Sequence, residues 1–288
     1  MPVESAAKAQ TLAKSLNIDG VVCVGGGSTI GHGKAIAIEH PVKLLHVVTT
    51  YSGSEMSAAQ GFVENGVKRL VMDSRMEAKG VIYDPELTVS LPPGVSGPSG
   101  MNAMAHCVEG LYGAQANPVS NLMAGAGIKA LGGALQRVVE QPSDLDARAD
   151  VLFGAYMSGI CISAGVALHH HVAHVLGGSF GVPHALAHTL ALPHTIAYNR
   201  AAVPVAMQTV ADALDCTDGP QGIFDLSARL GIDMSLSAHG FDHSQIDAAV
   251  ALLLAHARPN PRRLEREALV QMFHAMVDGR RPELPANG

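Results

Sequence analysis

The sequence predicts an α/β domain over residues 1–97 followed by an all-helical domain over residues 98–288. Three observations support this division. Short, wholly apolar runs alternate with helix-like segments as far as residue 84, which is typical of a parallel sheet covered by helices. The stretch Leu91–Pro98 is rich in proline and glycine and is expected to link the two domains. After it, Ala- and Leu-rich segments predict helices only.

The elements of the first domain follow from local composition. A helix is predicted over residues 4–16, ended by the turn Asn17–Gly20. Turn residues between two β-prone runs predict a hairpin from Gly61 to Met72. A helix is expected from about Ile30 to Ile38. Core strands of a parallel sheet, buried on both faces, are predicted at the apolar runs Val21–Val24, Leu44–Val48 and Val81–Asp84.

The second domain reads as a series of helices bounded by Gly, Pro, Asp or Ser. With 48% hydrophobic residues and few aromatic ones, the chain is expected to bury a sizeable aliphatic core. The predicted helices cover residues 99–114, 118–139, 144–165, 166–176, 184–198, 202–214, 220–230, 243–257 and 264–278.

Composition also excludes several classes of function. The formal net charge of −6 and the lack of a basic stripe argue against a nucleic-acid partner. No apolar run approaches the roughly 18 residues that span a bilayer, and the first residues do not resemble a signal peptide. The four cysteines lack CxxC spacing, which favours reduced thiols. We therefore expect a soluble, cytoplasmic protein.

A cluster of histidines is the strongest functional signal. His170 and His174 are four residues apart, as are His184 and His188, so each pair shares a helix face. The intervening Gly177–Pro183 predicts the end of one helix and the start of another, which would aim imidazoles into one cavity. The alternative is a pair of polar helix faces. Seven histidines lie in this stretch, namely His169, His170, His171, His174, His184, His188 and His194.

Two polar loops are candidates for nucleotide binding. Gly25, Gly26, Gly27 and Ser28 join a predicted strand to a predicted helix, where glycines allow close approach of a pyrophosphate to a helix N-terminus. A tight strand-to-helix turn is the alternative. The loop Thr49–Ser54 also follows a predicted parallel strand, at the sheet edge where ligands of such folds bind.

A possible metal site lacks its anionic ligand. Asn102 and His106 are four residues apart, and with His170 and His184 they resemble a site of three imidazoles and one carboxylate. Here the carboxylate is replaced by a neutral amide, which is a poorer ligand for a divalent ion. The residues therefore predict a histidine-lined pocket that works without a metal.

The motifs together resemble one enzyme family. The runs GGGSTIGHGKAIA, TTYSGSEM, VIYDPELT, GMNAMAHCVEGLY and LHHHVAHVLGGSFGVPHALAHTLALPH look like the iron-type alcohol dehydrogenase superfamily. Within it they resemble the maleylacetate reductases of aromatic-compound degradation, which characteristically carry the Asn and the doubled histidine. The resemblance covers essentially the whole chain from Pro2. It implies a Rossmann-like first domain and NADH or NADPH as cofactor.

The resemblance and the residue patterns define a predicted site. Catalysis is assigned to His106, His170, His174 and His184. We expect His169 and His171 to point elsewhere, either into solvent or in support of the catalytic residues, and His188 and His194 to pack between helices or to support those residues. Substrate contacts are predicted for Tyr51, Asn102 and Arg69. Cofactor contacts are predicted for Gly25, Gly26, Gly27, Ser28, Thr49, Thr50, Ser54, Lys68 and Val95. The substrate would be a small keto-diacid.

Two alternatives remain. One is a metal-dependent alcohol dehydrogenase of the same superfamily, with Fe²⁺ or Zn²⁺ on His106, His170 and His184; the other is an inactive binding protein. The family's nucleotide domain begins with a strand–helix–strand portion before the residues that match Pro2–Glu4, so the first strands of that domain are expected to be missing. A sheet shortened in this way would expose an edge strand or apolar face, and a homo-oligomer, such as a dimer, is expected.

Overall fold

The computed structural model describes residues 3–64, 67–256 and 258–283, with side chains of 63–64 and 67–70 left out. The first part of the chain forms the predicted α/β layer. Its elements in chain order are α1 (Val3–Leu16), β1 (Gly20–Gly25), α2 (Gly27–Glu39), β2 (Lys43–Val48), β3 (Ala59–Glu64), β4 (Val67–Met72) and β5 (Gly80–Ile82). The predicted helix, strands and hairpin are therefore present, and α2 begins three residues earlier than expected.

The sheet brings the two polar loops together. Strands β1, β2 and β5 are parallel, in that order, and Gly25 at the end of β1 pairs with Val48 at the end of β2. The segments that follow these two residues consequently leave the same edge of the sheet. Strands β3 and β4 form a separate antiparallel pair, as the hairpin prediction requires, although its turn residues Asn65 and Gly66 lie outside the described residues.

The prediction of burial on both faces is wrong for β1 and also for β5, where Ile82 is 46% exposed. Cys23 is buried, but Val22 is 62% exposed and Val24 is 59% exposed. The reason is that β1 is an edge strand covered by α2 on one face, and alternate side chains of a strand point to opposite faces. Helix α1 packs on α2 rather than on the other face of the strand.

The rest of the described chain is helical, and no strand follows β5 in the ranges the structure covers. Helices α3, α4 and α5 pack on one another, while α6 and α7 pack with α10 and α11 around a second apolar cluster. The bounds are α3 (Pro93–Gly110), α4 (Pro118–Glu140), α5 (Leu145–Cys161), α6 (Leu168–Ser179), α7 (His184–Asn199), α8 (Pro204–Ala213), α9 (Gly219–Arg229), α10 (Ile246–Ala255) and α11 (Arg266–Val277).

The expected linker is partly helix. Helix α3 begins at Pro93, inside the stretch predicted as a linker, and continues through Pro98. Proline is favoured at the first helical position, which suits Pro93. Tertiary packing explains why the helix continues, because Gly97 and Gly100 are buried and a Cβ on Gly100 would lie 2.1 Å from Leu135. Close packing on α4 overrides the local composition.

Within the described ranges, no single helix is long and apolar enough to cross a membrane. Two consecutive segments, Leu145–Ala164 and Leu168–Ser179, are together long and apolar enough, but the chain bends by 103° between them.

Candidate active site

Three helices converge on the histidine cluster. Helix α3 contributes Asn102 and His106, α6 contributes its first residues, and α7 begins at His184. The chain turns between α6 and α7 at Gly181, whose φ of 75° lies in the left-handed region that favours glycine. The predicted pair of helices meeting at a corner is thus present, and it sets two rows of imidazoles against each other.

The four histidines predicted to be catalytic do lie together. The Nε2 atoms of His106 and His170 are 3.4 Å apart. The rings of His170 and His174 have centroids 6.1 Å apart, and those of His174 and His184 are 6.2 Å apart. His170 is buried, His174 is half-buried and His184 is exposed. The exposure of these histidines therefore increases from His170 to His184, at the start of α7.

A buried carboxylate that the sequence interpretation missed holds His170. Glu109 is fully buried on α3, and its Oε2 accepts from Nδ1 of His170 at 2.5 Å. Its Oε1 accepts from the backbone N–H of His169 at 2.8 Å. Nε2 of His170 is thereby directed towards His106. The available signal was the spacing, since Glu109 lies three residues after His106 on the same helix face.

His169 and His188 lie beside the predicted catalytic histidines, where both can support them. His169 does not point away from the cluster, because its Nε2 lies 2.9 Å from Nδ1 of His188. His188 lies among the other imidazoles, 4.6 Å from His184 and 4.8 Å from His170 between ring centroids. The first turn of α6 is buried on all sides, so neighbouring positions reach partners although they point in different directions.

The remaining two histidines lie outside this network. His171 is buried rather than solvated, and burial lowers its pKa to about 4, with Arg258 and His256 adding to the effect. His194 packs against Phe224, with ring centroids 6.2 Å apart, in agreement with the packing role expected for it.

Burial keeps the deep imidazoles neutral. It lowers the pKa of His106, His169 and His188 well below the ordinary range, and the neighbouring histidines lower it further. A neutral ring has one N–H donor and one acceptor nitrogen. Each hydrogen bond in the cluster therefore restricts which nitrogen carries the proton.

The donor set does not fit a divalent metal ion well. Nitrogens of His169, His170 and His188 lie within 4.8 Å of one another, but both ring nitrogens of His169 already have partners. Asn102 offers a buried neutral oxygen, which has no hydrogen-bond partner in the described ranges. Both oxygens of Glu109 are engaged. The site thus supplies imidazoles and an amide but no free carboxylate to offset the charge of a metal.

Neighbouring threonine side chains leave no room for a Cβ on the first two glycines of the turn. A Cβ on Gly25 would lie 2.5 Å from Oγ1 of Thr29, and one on Gly26 would lie 2.8 Å from Cγ2 of Thr50. Helix α2 starts at Gly27 in this turn, and a helix N-terminus attracts anions. The space in front of Gly27 is bordered by the hydroxyls of Ser52 and Ser54. The helix start and the two hydroxyls fit a pyrophosphate.

A buried lysine holds the second loop in place. Nζ of Lys34 donates to the carbonyl of Ser54 at 2.6 Å, to the carbonyl of Ala59 at 2.9 Å and to Oγ of Ser57 at 3.1 Å. Burial lowers the pKa of Lys34 to about 8, partly offset by the nearby carboxylate of Glu55. Three oxygen acceptors compensate for the burial of this ammonium group.

The prediction that Tyr51 contacts substrate is wrong. Its side chain is fully buried, and its hydroxyl accepts from Nη1 of Arg148 at 2.9 Å and donates to Oγ1 of Thr88 at 3.4 Å. The hydroxyl therefore acts as both a hydrogen-bond donor and an acceptor inside the protein. Tyr51 joins the second loop to α5 because Arg148 is itself fully buried there.

The other predicted contacts lie around the loops. Val95 is 47% exposed and lies one helical turn before Ser99, whose hydroxyl accepts from the backbone N–H of Tyr51. It is therefore near the second loop. Lys68 and Arg69 are on β4, opposite Val63 and Phe62, but their side chains lie outside the described residues.

Family comparisons agree with this architecture. Residues 1–85 match the family described as iron-containing alcohol dehydrogenase, and residues 97–277 match the C-terminal domain of the same family. The chain belongs to the iron-containing alcohol dehydrogenase family, and it is an oxidoreductase.

Its similarity within the family is more specific. The chain is 45% identical to the maleylacetate reductase of Burkholderia cepacia and 42% identical to that of Sphingobium indicum, covering 98% of this chain and 80% of each relative. The crystal structure of maleylacetate reductase from a Rhizobium species superposes with a TM-score of 0.94 at 40% identity, over 98% of this chain and 81% of that one. A putative alcohol dehydrogenase from Ralstonia eutropha gives a TM-score of 0.96 at 44% identity, with the same coverage.

Proposed function

We propose that this chain reduces maleylacetate, a conjugated keto-diacid, to 3-oxoadipate in the degradation of aromatic compounds. The observation that carries the proposal is the imidazole cluster of His106 and His170, in which Asn102 offers a neutral amide and the carboxylate of Glu109 is already engaged by two N–H groups. The similarity to maleylacetate reductases supports the choice of substrate. NADH or NADPH would bind across the turn Gly25–Ser28 and, when bound, supplies the hydride.

The pocket can stabilise the charge that such a reduction creates. Hydride addition to the alkene carbon two bonds from the ketone carbon places negative charge on the ketone oxygen, as an enolate. Hydrogen-bond donors at that oxygen stabilise it without a metal. His174 and His184 are partly or fully exposed and would reach substrate, and the amide of Asn102 would be a further donor.

Proton transfer completes the reaction. A histidine that titrates near neutral pH can protonate the enolate carbon. The pKa values of His106 and His188 are lowered well below the ordinary range, chiefly by desolvation, so this proton is assigned to His174 or His184. Lys68 and Arg69 would complement the two carboxylates of the substrate.

The state of the protein in the cell is part of the proposal. We place it in the cytoplasm, without nucleic-acid or membrane partners, as a homo-oligomer such as a dimer. The exposed Val22 and Val24 of β1 and Ile82 of β5 provide an apolar surface on the sheet that association would cover.

The second candidate function is a metal-dependent alcohol dehydrogenase. The separation of 3.4 Å between Nε2 of His106 and Nε2 of His170 would also suit two ligands of one ion, with His184 as the third. Maleylacetate-dependent loss of NADH or NADPH absorbance, measured with and without EDTA, separates the possibilities. We expect activity that survives EDTA. Activity lost with a stoichiometric metal would favour the second candidate, and no activity would favour an inactive binding protein.

Asn102→Asp provides a direct test of the metal-free site. Restoring a carboxylate beside His106 is expected to raise the affinity for Zn²⁺ at least about tenfold, because the ligand set gains the missing charge. Titration calorimetry measures the change, and the exposed Asn121→Asp serves as control. Equal affinities in the wild type and Asn102→Asp would show that the carboxylate is not the limiting ligand.

A further inference from the structure

Helix α6 begins without a capping side chain of its own. The residue before its first turn is Ala167, which has no polar group to accept from the N–H groups at the helix start. The first N–H groups of a helix have no partner within it, and leaving them unpaired at a buried position is costly. Leu168 and His169 are both buried, so their N–H groups need acceptors from elsewhere.

Two side chains that are distant in sequence supply these acceptors. The N–H of His169 donates to Oε1 of Glu109 on α3 at 2.8 Å. The N–H of Leu168 donates to Oδ1 of Asn260 at 3.2 Å. Asn260 follows Leu168 by 92 residues and lies between α10 and α11. The start of α6 is therefore held by two different parts of the chain.

The contacts of Asn260 determine which way its amide points. Its Nδ2 lies 2.6 Å from the carbonyl of Arg262, which can only accept, so this atom is the donor. Its oxygen then faces the N–H of Leu168, which can only donate. Asn199, the last residue of α7, fixes the amide further, because the two amides donate to each other at 2.7 and 2.9 Å. The oxygen of Asn260 is thereby held at the start of α6.

The turn that Asn260 caps carries His170. The ring of His170 contacts Glu109 through Nδ1, and its Nε2 lies 3.4 Å from Nε2 of His106. Its position depends on the backbone that carries it as well as on the carboxylate. If the N–H of Leu168 lost its acceptor, the first turn of α6 would loosen, and His170 would move with it.

We propose that Asn260 is a positioning residue that caps α6 through Leu168 and thereby holds His170 beside His106. This inference rests on the proposed function, in which these two histidines belong to the catalytic site. Asn260 acts through the helix and is remote in sequence from the glycine turn that would bind the cofactor. Its loss should therefore lower kcat and leave KM for the cofactor unchanged.

Hydrogen exchange of backbone amides in the full chain tests the cap. In Asn260→Ala we expect the N–H of Leu168 to exchange at least about tenfold faster, measured relative to that of Leu176 later in the same helix. Asn260→Asp keeps an oxygen acceptor, which also suits a helix N-terminus, and should retain slow exchange at Leu168. Wild-type exchange in Asn260→Ala, or fast exchange in Asn260→Asp, would overturn the proposal.

Tyr198→Phe is a matched control for the effect on turnover. The Tyr198 hydroxyl donates to the carbonyl of Arg263 at 2.7 Å and accepts from the N–H of Glu265 at 3.0 Å. Its loss loosens the same segment but removes no acceptor from Leu168. For maleylacetate reduction, kcat is expected to fall about tenfold in Asn260→Ala and to stay near the wild-type value in Tyr198→Phe. An equal fall of kcat in both variants, at an equal loss of Tm, would show that Asn260 acts through stability alone.

The exchange measurement needs no turnover. A wild type that fails to reduce maleylacetate would refute the proposed function, while the exchange rate of the Leu168 N–H would still decide whether Asn260 caps α6.

Discussion

At the scale of single residues, Glu109 sets the orientation of His170. Its two oxygens accept two different N–H groups, so Glu109→Gln leaves one of those groups facing an amide donor. We expect turnover to fall 10–100-fold, the range found when groups that orient histidines are replaced. The glycine turn is untouched, so KM for the cofactor should not change. Steady-state kinetics on the exposed control Glu86→Gln would show wild-type values; the same result for Glu109→Gln would exclude this role.

The residue scale also shows what a pattern can predict. Spacing placed His106, His170, His174 and His184 correctly, because helical periodicity determines which side chains share a face. It does not identify the partner of His169, since periodicity does not reveal that a helix end is buried on all sides. It also failed for Tyr51, because the partner of that hydroxyl, Arg148, is 97 residues away in sequence.

At the scale of elements, Tyr51 joins the loop after β2 to α5. Tyr51→Phe removes an acceptor from the buried guanidinium of Arg148, whose Nη1 would retain only the 3.4 Å contact with Ser96 Oγ. We expect the free energy of unfolding to fall by about 1–3 kcal/mol, with turnover per folded molecule unchanged. Denaturant unfolding checks this, with the half-exposed Tyr156→Phe as control. If Tyr51→Phe instead loses turnover while its stability is unchanged, Tyr51 contacts the substrate.

Element boundaries were predictable where local signals and packing agree. The glycine turn, the strand pairing and nearly every helix of the second part follow from composition and stop signals. The start of α3 could not be predicted in this way, because burial of Gly97 and Gly100 favours a helix where the local sequence favours a linker. The exposure of β1 depends on which element covers each face of the sheet, and apolar composition carries no information about that.

The junction between β1 and α2 allows a test of cofactor binding. In Gly26→Ala the new methyl group would lie 2.8 Å from Cγ2 of Thr50, so one of the two loops must move. We expect the affinity for NADPH to weaken about tenfold, or about 1.4 kcal/mol. Adding Thr50→Ala removes the clash and should recover part of the loss. Gly133→Ala on α4 meets no atom within 4 Å and should bind normally by calorimetry. An unaltered affinity for NADPH in Gly26→Ala would show that the cofactor does not bind at this turn.

At the scale of the whole molecule, buried histidines make stability depend on pH. Burial lowers the pKa of His194 to about 4, and that of His106, His169 and His188 falls well below 6.5. Between pH 6.5 and 4 the unfolded chain therefore binds more protons than the folded one. Their contribution to stability is complete above pH 6.5 and is lost as the pH falls. Each such histidine steepens the loss by up to about 1.4 kcal/mol per pH unit.

Denaturant unfolding at pH 7.5, 6, 5 and 4.5 measures this dependence. We expect the free energy of unfolding to fall increasingly steeply below pH 6.5, and the fall to be smaller in His194→Gln, which has no imidazole to protonate. His194 suits this purpose because it packs on Phe224, apart from the catalytic cluster, so the variant should keep its turnover. His239→Gln, where the ring contacts the carbonyl of Asp233 at the surface, should retain the wild-type slope. An identical slope in His194→Gln would mean that this ring is already protonated in the folded chain, and that burial does not hold it neutral.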